Sequence, residues 1–245
     1  MDFSLQQLAV IGIGGIVAGL VNGTIGGGSL LTYALLSFMG TPPVLAAATN
    51  TTGLSTGNAA ALLPHRDGTT VNLGDWKMHA VWTATGALCG GLALILLPDK
   101  VFEFLVPILL LTASCFMLLQ PRAISIDPAM PIRTKGLLFA SGIYNGYFGP
   151  GQGVIAISIL NRDGRLTMNQ SVVIKNLVLA LSNVVVATLF IVTGHVLWPA
   201  ALVLLVSVAI GGWAGGTISN RINPLVLRYG VAAVGFASAA WFLVR

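Results

Sequence analysis

The run Gly19-Leu20-Val21-Asn22-Gly23-Thr24-Ile25-Gly26-Gly27-Gly28 returns 123 positions later as Gly142-Ile143-Tyr144-Asn145-Gly146-Tyr147-Phe148-Gly149-Pro150-Gly151. Each run interrupts an apolar stretch with glycines and one amide side chain. The chain therefore reads as two related halves, and paired interruptions at corresponding positions point to a binding site where the halves meet.

Everything outward from these runs is apolar. Of 245 residues, 56% are hydrophobic and only 8% charged, and the mean hydropathy is +0.90. That leaves too little polar surface to cover a soluble globule of this length, so an all-α, polytopic membrane protein is expected. The formal charge of +5 is spread singly through short connections without interleaved aromatics, which argues against a nucleic-acid partner. Cys89 and Cys115 lie within apolar segments, where a thiol behaves as a small hydrophobe, and no disulfide is expected. The first residues, Met1-Asp2-Phe3-Ser4, lack the positive n-region of a cleavable signal.

Apolar runs and turn signals give ten segments, near 5–21, 29–39, 44–63, 76–97, 101–120, 135–148, 154–160, 169–192, 199–219 and 225–244. Residues 1–120 then form a first repeat, 121–134 a connecting loop and 135–245 a second repeat. Segments 29–39 and 154–160 are shorter than the roughly 20 residues a crossing helix needs, so each must pair with the segment before it. The pair is either one broken spanning helix or a re-entrant hairpin, and charge separates the two. With hairpins and three crossings per half, one side holds Arg66, Lys77, Arg122, Arg133, Lys135, Arg162, Arg165, Arg221 and Arg228, the other only Lys100 and Arg245. Broken spans divide the same residues six to five. Because cytoplasmic connections carry the excess Lys and Arg, the uneven division favours hairpins, inverted repeats and both termini outside. Further correspondences fit: Asn50 with Asn176, the Asp67-Gly68 turn with Gly194-His195, and Gly86, Gly90 and Gly91 with Gly211, Gly215 and Gly216. The small-xxx-small pairs read as helix-packing devices.

Non-helical backbone at membrane depth needs surrounding protein or a watery cavity. Helices that start after Gly26-Gly27-Gly28-Ser29 and Gly149-Pro150-Gly151-Gln152-Gly153 would aim free N–H groups and a partial positive charge into such a cavity, which suits an anion. Gly23 and Gly146 belong to the same tips. Lys175 is the one Lys or Arg well inside an expected span, and Asp2, Asp67, Asp75, Asp99, Glu103, Asp127 and Asp163 all fall near ends or connections. Lys175 either snorkels to the interface or faces a cavity where the substrate is its counter-ion. Polar stripes accompany it: Lys175-Asn176 then Ser182-Asn183, and in the first half Thr51 then Asn58. Gly53-Leu54-Ser55-Thr56-Gly57 matches G-x-S-x-G, but that elbow needs a strand-turn-helix context, so an intramembrane hydrolase is the weakest reading. No metal-ligand spacing or P-loop is present, and no cofactor is expected.

The run from Ala18 through Gly26-Gly27-Gly28-Ser29-Leu30-Leu31, then Gly40-Thr41-Pro42-Pro43 and an Ala/Thr/Asn-rich helix ending in His65-Arg66-Asp67-Gly68, resembles the sulfite exporter TauE/SafE family, also called the toluene-sulfonate uptake permease family. The second half resembles it too. The resemblance implies secondary transport of small sulfur-containing anions, such as sulfite or organosulfonates, across the bacterial inner membrane. The expected partners are that anion and the bilayer, with a homo-oligomer possible, and an anion channel is the alternative. The expected site is Asn22, Gly23, Gly26, Gly27, Gly28 and Ser29 facing Asn145, Gly146, Gly149, Gly151, Gln152 and Gly153, beside Asn50, Thr51, Lys175 and Asn176. With no deep carboxylate, and only His79 near a span interior, uncoupled efflux of the anion is expected.

The charge division makes a direct prediction. Single cysteines placed in 121–134 should resist an impermeant thiol reagent added outside intact cells, and rapid labelling there would rule out termini that face outward.

Overall fold

The computed structural model describes residues 3–65, 76–119, 131–160, 168–218 and 223–244. Among these are ten α-helices: α1 Leu5–Thr24, α2 Ser29–Phe38, α3 Pro43–Ala60, α4 Trp76–Leu96, α5 Asp99–Leu119, α6 Pro131–Tyr147, α7 Gln152–Leu160, α8 Met168–Val192, α9 Trp198–Ile218 and α10 Pro224–Val244. All ten expected segments are helical. A short 3-10 turn at Leu63–His65 follows α3. The sixth helix begins at Pro131 rather than Lys135. The Asp67-Gly68 turn lies outside the described residues, whereas the turn at Gly194-His195 is present, with Gly194 at φ +75°.

Local chemistry sets the ends. Ser4 caps α1: its hydroxyl accepts from the Gln7 amide at 3.2 Å while the Gln7 side chain accepts from the Ser4 amide at 2.9 Å, a reciprocal capping box. That helix stops where Gly26 and Gly27 take φ of +83° and +91°, a region closed to most side chains. Pro43 at the first position of α3 costs no hydrogen bond there.

Close approaches at glycines give the helix directions. Gly28 lies against the Ala18 carbonyl and Gly14 against the Leu35 side chain, so α2 runs back along α1. Gln152, at the start of α7, donates through Nε2 to Ser141 Oγ at 3.3 Å, which likewise requires the chain to double back after α6. Both pairs are hairpins, not single broken spans. Gly12 meets Val203, Gly19 meets Gly211 and Gly212, and Gly23 meets Gly215 and Gly216; numbers rise together, so α1 is parallel to α9. Gly53 against Leu204 and Gly57 against Val208 make α3 parallel to α9 as well. Since α1 and α3 point the same way, α2 must return the chain between them.

The second half repeats the arrangement. Gly142 packs on Thr83 and Ala87, and Gly146 on Ala87 and Gly91, so α6 is parallel to α4. Thus α1 packs on α9 and α6 on α4, α3 on α9 and α8 on α4, α3 on α8 and α5 on α10. Exchanging the halves turns each of these pairings into another or into itself. Backbones touch at these glycines because lipid supplies no hydrophobic drive between helices, so association depends on close van der Waals contact.

Among the described residues, six helices are long and apolar enough to cross a membrane: α1, α4, α5, α8, α9 and α10. This is a multi-pass membrane protein. The helix α3 falls outside that group because it is enclosed: Thr49, Asn50, Thr51, Thr52 and Asn58 are all buried, and protein rather than lipid solvates them.

Gly146→Val should drive a side chain into the Ala87 carbonyl, whereas Gly230→Val meets nothing within 4 Å. Overpacking of this kind costs about 1–3 kcal/mol, occasionally more. In detergent, the Gly146 variant should melt several degrees lower and the Gly230 variant within about a degree of the parent; equal melting points would refute the packing assignment.

Candidate functional site

Two hairpin tips meet inside the bundle. In the first, the Ile25 and Gly26 amides both donate to the Val21 carbonyl, at 3.0 and 2.9 Å, which leaves the Asn22 carbonyl without a backbone donor. Lys175 Nζ fills it at 2.6 Å. A cation on the last carbonyls of a helix is favourable because that end carries partial negative charge. The Asn22 side chain closes the turn, its Oδ1 accepting from the Gly28 amide at 2.8 Å.

The second tip uses different bonds on the same plan. Asn145 Nδ2 donates to Ser182 Oγ at 3.1 Å and to Asn183 Oδ1 at 2.9 Å, tying α6 to α8. Tyr144 donates to the Pro150 carbonyl at 2.5 Å. Between the tips, the Gly151 amide donates to Ser29 Oγ at 3.1 Å, and Gly26 and Gly153 approach so closely that a Cβ on Gly26 would stand 2.7 Å from the Gly153 carbonyl carbon. Phe148 packs edge-on against Tyr33 at 5.2 Å. Asn50 braces the start of α2, donating to the Ser29 carbonyl at 3.2 Å and accepting from Thr32 Oγ1 at 2.5 Å.

A polar cavity lies at this meeting point. It is lined in corresponding pairs, Asn22 with Asn145, Ser29 with Gln152, Leu54 with Leu179 and Asn58 with Asn183, and completed by Asn50, Thr51, Gly149 and Gly153. The space open to the centre of a water molecule is about 20 Å³, enough for one or two waters. Its lining is rich in donors. Among the described residues, no acceptor is present for the Ser29 or Gly153 amide, for Asn22 Nδ2 or Asn183 Nδ2, or for the side chains of Thr51 and Asn58. The amide orientations follow from the bonds already made, since Asn22 and Asn183 each spend their oxygen on a protein donor. No described carboxylate lines the cavity.

Of the expected residues, Asn22, Ser29, Asn50, Thr51, Asn145, Gly149, Gln152 and Gly153 line this cavity. Gly26, Gly27, Gly28 and Gly151 form the turns behind it. Gly23 and Gly146 are packing residues, set against α9 and α4. Lys175 is fully buried and so does not snorkel; it reaches the site through the Asn22 carbonyl. Asn176 is 1% exposed, with neither side-chain polar atom bonded. Leu54 and Leu179 were not expected. Their signal was the i, i+3, i+7 spacing of Thr51-Leu54-Asn58, repeated 125 positions on as Asn176-Leu179-Asn183. Ser55 sits within α3 and donates to the Thr52 carbonyl at 2.8 Å, with no strand or sharp turn to make it a nucleophile elbow.

The profile of the sulfite exporter TauE/SafE family matches residues 11–242. The chain belongs to that family. It is similar to a probable membrane transporter protein of Haemophilus influenzae, 26% identical over 98% of this chain and 96% of the relative. It is also similar to the probable membrane transporter protein YfcA of Escherichia coli K12, 29% identical over 90% and 85%, and to ORF9 of a Sinorhizobium species, 26% identical over 94% and 92%. No solved structure matches significantly. A membrane transporter of this family, with bacterial relatives, is consistent with the bacterial inner membrane.

Proposed function

We propose that this TauE/SafE protein is a secondary transporter that exports a small sulfur-containing anion, such as sulfite or a compact organosulfonate, bound between the hairpin tips. The observation that carries the reading is the cavity's set of unpartnered donors, more numerous than free acceptors such as Gln152 Oε1, on a lining with no described carboxylate. Two of those donors are the free amides at the starts of α2 and α7, where the helix dipole favours negative charge. Lys175, held on the Asn22 carbonyl, is the one buried Lys or Arg among the described residues. The matching helix pairings support two inverted repeats, residues 1–120 and 135–245, with the tips at mid-membrane.

Binding is the first test. Charge-assisted hydrogen bonds are worth roughly 1.5–3 kcal/mol. Lys175→Met removes the amino group behind Asn22 and its hold on the first tip, and Asn145→Leu unties the second tip from Ser182 and Asn183, so each should weaken sulfite binding about tenfold or more, while Lys100→Met at the start of α5 leaves it unchanged. Affinities within about threefold of the parent in both variants would refute the site.

Energetics supply the second test. An anion of charge −1 leaving an interior that is negative gains about 2.3 kcal/mol per 100 mV, so efflux needs no coupling ion. In proteoliposomes loaded with the anion, a valinomycin-set negative interior should accelerate efflux, and a pH gradient alone should not, with the anion's protonation held constant. The reverse pattern would establish proton coupling. Saturable counterflow separates the carrier from a channel.

A further inference from the structure

The two halves do not present the same residues to the cavity. On α3, Thr51, Leu54 and Asn58 share one helix face at i, i+3 and i+7, and all three line it. On α8 the corresponding face is Asn176, Leu179 and Asn183, of which only Leu179 and Asn183 do so. Asn176 lies one turn further along the same stripe. It is 1% exposed, and both its amide nitrogen and its carbonyl oxygen lack a partner. A buried amide with no bond at either end is rare in folded proteins and calls for an explanation, such as a water, an ion or a partner met in another conformation. Apolar Ile174 and Val178 lie on the opposite side of this part of α8, and apolar Val173 stands one turn before Asn176 on its own face, so none of these three answers it.

We propose that Asn176 is the second station of the anion path: in the conformation open to the other side of the membrane, Asn176 enters the lining and Thr51 leaves it, because the lining pairs Leu54 with Leu179 and Asn58 with Asn183 set the offset at 125 and make Thr51, rather than the expected Asn50, its counterpart. This rests on the transporter reading above and on inverted halves, because only halves that exchange conformations would exchange these two positions. The neighbouring contact fits. Lys175 Nζ pins the first tip to α8 through the Asn22 carbonyl, one residue from Asn176, so a movement of that tip that broke the bond would uncover the turn of α8 on which Asn176 sits. Asn176 is then needed for passage more than for binding in the conformation seen here.

Single cysteines test this in a background with Cys89 and Cys115 replaced by serine. Thr51→Cys, Asn183→Cys and Asn176→Cys proteins would be labelled with an impermeant methanethiosulfonate in intact cells and in inside-out vesicles. Sulfoacetate is the protecting anion, since sulfite itself would consume the reagent. Thr51→Cys should react from one side and Asn176→Cys at least about tenfold faster from the other, both slowed by sulfoacetate. If Thr51→Cys and Asn183→Cys are protected but Asn176→Cys is inert from both sides, or reacts from the same side as Thr51→Cys, the second station is wrong and the site stands. If sulfoacetate protects none of the three, the transport site itself fails. In parallel, Asn176→Ala should lower the maximal transport rate about tenfold or more with equilibrium sulfoacetate binding within about threefold of the parent; equal losses in both would make Asn176 an ordinary binding residue and overturn the proposal.

Discussion

Backbone amides at membrane depth must find partners within the protein, and at the two hairpin tips helical hydrogen bonding stops where lipid could not replace it. Much else in the bundle answers that constraint. Asn22 satisfies the Gly28 amide with its side chain, Lys175 satisfies the Asn22 carbonyl, Tyr144 the Pro150 carbonyl and Ser29 the Gly151 amide. The groups left over, the Ser29 and Gly153 amides, are the ones that face the cavity. A break that would be intolerable against acyl chains becomes a donor site once it is enclosed.

Enclosure in turn depends on α8 and on the glycines. One helix holds both tips, the first through Lys175 and the second through Ser182 and Asn183. The outer walls are the parallel pairs α1 with α9 and α6 with α4, which approach until backbone meets backbone at Gly19, Gly23, Gly142 and Gly146. Side chains at those points would hold the walls apart and leave the tips wet. Packing at the periphery and chemistry at the centre are thus one arrangement, and the same residue type serves both.

That double use explains what could be read from the sequence. The helices were legible because long apolar runs broken by Gly and Pro have few other readings in a chain this apolar, and the hairpins because nine basic residues fall on one side of only one of two topologies. The start of α6 was not, since Arg133 and Lys135 give its first turn the composition of a connection. Gly23 and Gly146 were read as site residues because a glycine that lets another helix approach looks the same in sequence as one that turns the chain. Leu54 and Leu179 carried no polar signal, and only their position on the faces of Thr51 and Asn183 betrays them. Lys175 lay close enough to a helix end that composition left it between interface and interior; the Asn22 carbonyl places it inside.

A carrier must bind well enough to select and loosely enough to release. A lining of neutral amides and hydroxyls suits that, since each neutral hydrogen bond contributes only about 0.5–1.5 kcal/mol net and the proposed anion would have several small contributions to give up rather than one large one. A lysine in direct contact with the anion would be harder to leave in a low-dielectric interior, where unscreened attraction between opposite charges is strong. Here the cation stands behind Asn22, bonded to its carbonyl while the Asn22 amide nitrogen is left free of protein partners. Protonated, Lys175 in that place would raise the potential of the cavity without an ion pair to the proposed anion that each cycle would have to break. The asparagine that repairs the helix break is therefore also the spacer that keeps attraction moderate, and a single residue reconciles the demands of a folded backbone in lipid with those of a substrate that has to leave.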